Sequence, residues 1–131
     1  MAIKIDFVNN LSLDSNLIRS FYSENWETGI ALSDKKFYDW QFIETPNSQQ
    51  KDHCVVAYDD QNKKVLGVMG LNKRKFFLDG KSRNGAELTT WIVSKQATRS
   101  GAGAKILGFI QSEFEILIGM GITSIALSIY M

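Results

Sequence analysis

The chain has 131 residues, 44% of them hydrophobic and 22% charged, with eight Phe, four Tyr and three Trp, which specifies one globular domain over residues 1–131 and excludes both a multidomain and a disordered protein. No apolar run of about 18 residues and no secretory leader pattern occurs, so the expected setting is cytoplasmic with no membrane partner; the single Cys54 and single His53 exclude an internal disulfide, and no metal is expected. The net charge of +1 divides unevenly, since residues 1–60 hold ten acids and five bases while residues 61–131 hold four acids and ten bases, all ten between Lys63 and Lys105.

Ile3, Ile5 and Phe7 alternate with Lys4 and Asp6, which predicts a half-buried strand over residues 3–8. Behind the capping residues Asp14 and Ser15, the spacing of Leu17, Ile18, Phe21 and Tyr22 predicts a helix to about Asn25. A second helix is expected from a Ser33 cap to about Ile43, with Leu32 and Phe37 placed as a hydrophobic staple and Pro46 lying beyond its end. Cys54 to Tyr58 and Val65 to Leu71 read as a hairpin, with Cys54 in the core and His53 at its edge. Phe76 to Leu78, the tight-turn pair Asp79-Gly80 and the stretch Ala86 to Val93 form the next hairpin, so that three antiparallel strands follow one another. A last helix is expected after Gly103, with the apolar stripe Ile106, Leu107, Ile110, Phe114, Leu117 and Ile118 and a stop at Gly119 and Gly121.

The junction between the last strand and this helix carries the clearest chemistry. Trp91-Ile92-Val93 leads into Arg99-Ser100-Gly101-Ala102-Gly103-Ala104, a strand, Gly-containing turn and helix start in which free amides and the positive helix end suit a phosphate. It is neither a P-loop, because no Gly-Lys-Ser/Thr ends it, nor a G-x-G-x-x-G fingerprint, because Ile106 stands at the third glycine position.

Taken with the order strand, two helices, three antiparallel strands, turn and long helix, the stretch Ala86-Glu87-Leu88-Thr89-Thr90-Trp91-Ile92-Val93 followed by Arg99-Ser100-Gly101-Ala102-Gly103 resembles the GNAT family of acyl-CoA-dependent N-acetyltransferases. The resemblance is specific over about residues 53–119. It implies a mixed α+β fold with a mostly antiparallel central sheet flanked by helices and lacking the last strands, since a complete domain would continue beyond Met131. It also implies acetyl-CoA as co-substrate. The backbone of Trp91, Ile92 and Val93 would meet the pantetheine amides, and Thr98, Arg99, Ser100, Gly101, Ala102, Gly103 and Ala104 would hold the pyrophosphate, with Thr98 in place of the usual Gln or Arg. Lys95, Arg99 and Lys105 are the nearest cations for the other phosphates.

Acetyl transfer to an alkyl ammonium needs a base, because its pKa near 10.4 leaves less than about a thousandth as free amine at neutral pH. Glu87 is the candidate, the one charge in an otherwise uncharged window; the structural alternative is a surface pair with Arg83 or Lys81. The family pattern A-x-x-x-Y fits Ala126 to Tyr130 and makes Tyr130 the candidate acid for the leaving thiolate, whether Ser124 to Tyr130 forms a helix or the fifth strand. Tyr22, Glu24, Trp26 and Glu27 are where the family receives the acceptor, and two carboxylates beside an aromatic suit an ammonium or amino sugar; the alternative is a solvated loop with Trp26 as a core anchor. The expected activity is transfer of acetyl to a primary amine of a small molecule or amino sugar. The alternative from another class is a non-catalytic acyl-CoA-binding or assembly module. An apolar edge near Ile125, Leu127 and Ile129 leads to the expectation of a homo-oligomer or a further C-terminal segment, and the hairpin cations Lys73, Arg74, Lys75, Lys81 and Arg83 are read as solvent-facing, not nucleic-acid-binding.

Overall fold

The structure is a computed structural model and describes residues 3–26, 29–46 and 48–119. In chain order it comprises β1 (Ile3–Phe7), α1 (Ser15–Asn25), a 3-10 turn at Ala31–Ser33, α2 (Lys35–Tyr38) running on as a π-helical turn over Asp39–Ile43, β2 (Val55–Asp59), β3 (Lys64–Leu78), β4 (Lys81–Val93), a second 3-10 turn at Lys95–Ala97, α3 (Ala102–Glu113) and β5 (Ile116–Gly119). The strands form one sheet in sequential order, antiparallel from β1 to β4, with β5 parallel to β4. The mixed α+β architecture is as expected from the sequence. No helix among the described residues is long and apolar enough to cross a membrane.

Strand alternation divides the core between the two faces of this sheet. On one face Val55, Ala57, Met69, Leu71, Ala86 and Leu88 pack under Ile106 and Ile110 of α3. On the other, Cys54, Val56 and Val68 pack under Ile18, Phe21 and Tyr22 of α1 and under Tyr38 and Phe42. The helices meet this demand through their own spacing, each turning its i, i+3 and i+4 apolar residues to the sheet.

The long β3–β4 hairpin closes through Asp79 (φ 52°) and Gly80 (φ 75°), both left-handed as a two-residue hairpin turn requires. The turn fixes the register, which sets Asn72 opposite Glu87 and Gly70 opposite Thr89. Beyond Thr89 one extra residue enters β4: Met69 pairs with Trp91, and Thr90, at φ 24°, bulges out of the ladder.

Three local expectations are corrected. Asp34, not Ser33, caps α2, accepting from the Phe37 amide at 3.1 Å, and Phe37 lies at the surface against Trp40 instead of stapling to Leu32. The last helix ends at Glu113: Asn84 donates to the Glu113 carbonyl and accepts from the Glu115 amide, turning the chain into β5, so Leu117 and Ile118 belong to a strand. His53 is buried, not at an edge, with its ring 5.8 Å from Phe7 in an edge-to-face contact.

Two consequences are open to measurement. A Cβ at Gly70 would lie 2.7 Å from the buried Phe42 ring and 2.6 Å from Thr89 Oγ1, so Gly70→Ala is expected to cost about 2 kcal/mol, read as a lower urea midpoint. Burial, helped by nearby Lys73, holds the His53 pKa below its usual value. The folded state therefore binds that proton less readily than the unfolded chain, and stability present above about pH 6.5 is lost as pH falls toward and through the folded value. The urea midpoint is expected to decline from pH 7.5 to 5.5, and His53→Gln to remove that decline.

Candidate active site

Strand β4 joins two sites. At its middle Glu87 projects to the α1–α2 side of the sheet, 31% exposed, with Oε2 3.6 Å from Nε of Arg74 on β3. The surface partners weighed from the sequence are not its partners; Arg83 instead pairs with Glu115 at 3.0 Å. Glu87 lines an open cleft of about 340 Å³ together with Trp40, Glu44, Asn72 and Arg74. Trp40 is 65% exposed and offers an aromatic face beside two carboxylates, a combination that attracts a cation. Asn72 is 3% exposed, and its Oδ1 is buried without a hydrogen-bond partner.

At its far end β4 meets the start of α3. The β4–β5 pairing runs from Gly85↔Ile116 to Leu88↔Gly119, and beyond it Trp91, Ile92 and Val93 pair with β3. Gly101, at φ 78°, begins α3 without a side-chain cap. The Lys105 amide already bonds the Gly101 carbonyl, and the Ala102 amide meets Ser100 Oγ at 3.2 Å, which leaves the Gly103 and Ala104 amides as the free donors of the first turn. Gly103 brings this turn hard against the strand, since a Cβ there would stand 3.2 Å from Val93 Cγ2 and 3.4 Å from the Trp91 ring. Two donors at the positive end of a helix, packed against the end of β4, form an arrangement that fits a phosphate group. Thr98 adds no donor, because its hydroxyl is spent on the Ser94 and Lys95 carbonyls. Arg99, Lys95 and Lys105 are exposed around the turn.

The bulge lies between these sites and is braced from below. Tyr22 donates its hydroxyl to the Thr90 carbonyl at 2.9 Å; burial pushes its pKa well up, so it remains a donor. Tyr22 is thus fully buried and adds no surface to an acceptor cleft, because α1 periodicity turns it inward with Ile18 and Phe21. Glu24 lines a different cleft, of about 480 Å³, with Ser20, Lys63, Lys64, Ser94 and Gln96. Trp26 caps the end of α1 through its backbone amide and is 39% exposed, not a core anchor. Glu27, Tyr130 and the apolar edge at Ile125, Leu127 and Ile129 lie outside the described residues.

Sequence reasoning missed Trp40, Glu44, Asn72 and Arg74. The signal for the first two was their i, i+4 spacing in the second helix, and for Asn72 the register counted back from the Asp79-Gly80 turn.

These features agree with the comparisons to known proteins. A model of the Acetyltransferase (GNAT) family matches residues 15–130. A search of curated proteins finds no match. Among solved structures, glucosamine-6-phosphate N-acetyltransferase from Arabidopsis thaliana is similar, with a TM-score of 0.68 at 14% identity, over 99% of this chain and 88% of that one. An aminoglycoside acetyltransferase from an uncultured soil metagenomic sample has a TM-score of 0.56 at 20% identity, over 98% and 84%. The structure of AAC(6')-Iy in complex with a bisubstrate analogue, CoA-S-monomethyl-acetylneamine, has a TM-score of 0.60 at 13% identity, over 99% and 86%. The fold is therefore shared with acetyltransferases, and on the match over most of its length the chain belongs to the GNAT acetyltransferase family.

Proposed function

We propose that the protein, as a single domain, is an acyl-CoA-dependent N-acetyltransferase that moves acetyl from acetyl-CoA to a primary amine of a small molecule or amino sugar. The observation that carries this reading is the arrangement of β4, which presents Glu87 to an open cleft at its middle and abuts the uncapped start of α3 at its far end. The free Gly103 and Ala104 amides and the exposed Arg99, Lys95 and Lys105 hold the phosphates of acetyl-CoA, and the backbone of Trp91 to Val93 guides its pantetheine arm. The acceptor enters the cleft beside Trp40 and Glu44, whose aromatic face and charge favour an ammonium group.

Glu87 takes a proton from the ammonium, the freed amine attacks the thioester carbon, and the carbon–sulfur bond breaks with the electron pair leaving on sulfur. The thiolate is protonated as the amide nitrogen gives up its extra proton, so one proton is released overall; Tyr130 is the proposed donor to sulfur. The Arg74 guanidinium steers the Glu87 carboxylate toward the cleft. Holding both substrates on one strand supplies a large part of the rate.

Substitutions at two positions test this reading. Glu87→Gln is expected to lower kcat/KM at least about 100-fold while acetyl-CoA affinity measured by calorimetry stays unchanged, with residual turnover rising with pH as more amine loses its proton unaided. Acetyl-CoA binding without turnover in the parent chain would instead support the binding-module alternative. A side chain at Gly101 meets nothing within 4 Å, so Gly101→Ala reports backbone strain alone, whereas Gly101→Glu adds a charge against the pyrophosphate. Acetyl-CoA affinity is expected to fall at least about tenfold for the Glu variant relative to the Ala variant.

A further inference from the structure

Buried polar side chains in folded proteins nearly always find a partner, since an orphaned one forfeits its hydration without recompense. Asn72 is an exception in an informative place. It is 3% exposed, its Oδ1 has no hydrogen-bond partner, and it forms part of the wall of the cleft that holds Glu87. It also stands directly opposite Glu87 across the β3–β4 ladder, on the same face of the sheet. The one cation near by, Arg74, directs its Nε to Glu87. Of the other polar side chains that line the cleft, Glu44 and Glu87 accept hydrogen bonds when ionised, and Gln41 and Thr45 make no hydrogen bond to Asn72. A donor that enters the cleft can therefore serve the carboxamide.

We infer that Asn72 is the residue that orients the acceptor amine, its carboxamide oxygen accepting one N–H while the adjacent Glu87 removes the reacting proton. The inference rests on the N-acetyltransferase reading and names a contact which that reading leaves open. Neither end of the carboxamide is hydrogen-bonded among the described residues and the χ2 torsion of Asn is broad and two-fold, so a half-turn exchanges Oδ1 with Nδ2 and turns the oxygen toward the cleft without disturbing the backbone. With one N–H fixed on Asn72 and one proton passed to Glu87, the nitrogen lone pair is held in a single direction. The ligand chemistry selected is that of a primary ammonium, which has a donor to spare for each group. A tertiary amine has too few.

The orphaned state predicts opposite effects of one substitution on stability and on binding. Asn72→Leu replaces the carboxamide by an apolar group of similar shape, and the melting temperature of the free chain is expected to stay level or rise. In the same variant, saturation-transfer NMR with glucosamine as the probe amine is expected to show at least tenfold weaker binding, with acetyl-CoA affinity by calorimetry unchanged. Asn72→Asp, which keeps an acceptor oxygen in the same place, is expected to retain amine binding. Equal glucosamine binding by the parent and Asn72→Leu would overturn the inference, as would no glucosamine binding by the parent, or a lower melting temperature in Asn72→Leu with amine binding intact. Failure of the acyl-transfer reading shows separately, as absence of acetyl-CoA binding in the calorimetric titration.

Discussion

Asp52 lies between the second helical segment and β2, and this buried residue gathers four parts of the chain, three of them through its carboxylate. Oδ2 accepts from the hydroxyl of Ser15, the first residue of α1, at 2.7 Å and from that of Tyr38, the last residue of α2, at 2.6 Å, while Oδ1 accepts from the Cys54 amide at 3.0 Å. The backbone carbonyl of the same residue binds Asn9 through both its amide and its Nδ2, which ties in the exit from β1. A buried carboxylate is tolerated only when its lone pairs are met in this way, and removing any one donor leaves charge without compensation. Burial and the neighbouring negative charge push the Tyr38 and Cys54 pKa values well up, so both keep their protons and Tyr38 remains a donor. Because α2 is short, this clasp and the seating of Phe42 against Gly70 are what fix the segment carrying Trp40 and Glu44 above the sheet. The cleft that holds Glu87 is thus held in shape by a residue that does not line it.

The electrical division of the chain follows the same plan. The acidic first half contributes Glu44 to the cleft, and the basic second half contributes Arg74 and the cations around the start of α3. The middle and the far end of one strand thus lie in differently charged surroundings, although the whole molecule is close to neutral.

What the sequence disclosed, and what it withheld, follows from the range of the interactions involved. The hairpins were legible because alternation and the Asp79-Gly80 pair are local signals, and Glu87 stood out as a lone charge in an uncharged window. The end of α3 was not legible, since Phe114, Leu117 and Ile118 continue a helical stripe as well as they begin a strand, and what decides between them is Asn84, some thirty residues earlier. The roles of Tyr22 and Asp52 were hidden for the same reason: a tyrosine on an amphipathic helix and an aspartate in a polar loop carry no sign of the carbonyl or hydroxyls they will meet. Asn72 was half legible, as its place opposite Glu87 follows from the turn but its lack of a partner does not.

The bulge at Thr90 has a consequence for counting. Strand residues two and four apart ordinarily share a face, so Glu87, Thr89, Trp91 and Val93 would all point the same way. The extra residue reverses the parity midway: Glu87 faces the helices α1 and α2, whereas Trp91 and Val93 pack toward α3. One strand thereby faces a cleft on one side of the sheet and a helix start on the other, with only a single residue's insertion separating the two. Deleting one residue between Glu87 and Trp91 would keep every one of these side chains and yet turn one set to the wrong side of the sheet, so the length of this segment matters as much as the residues in it.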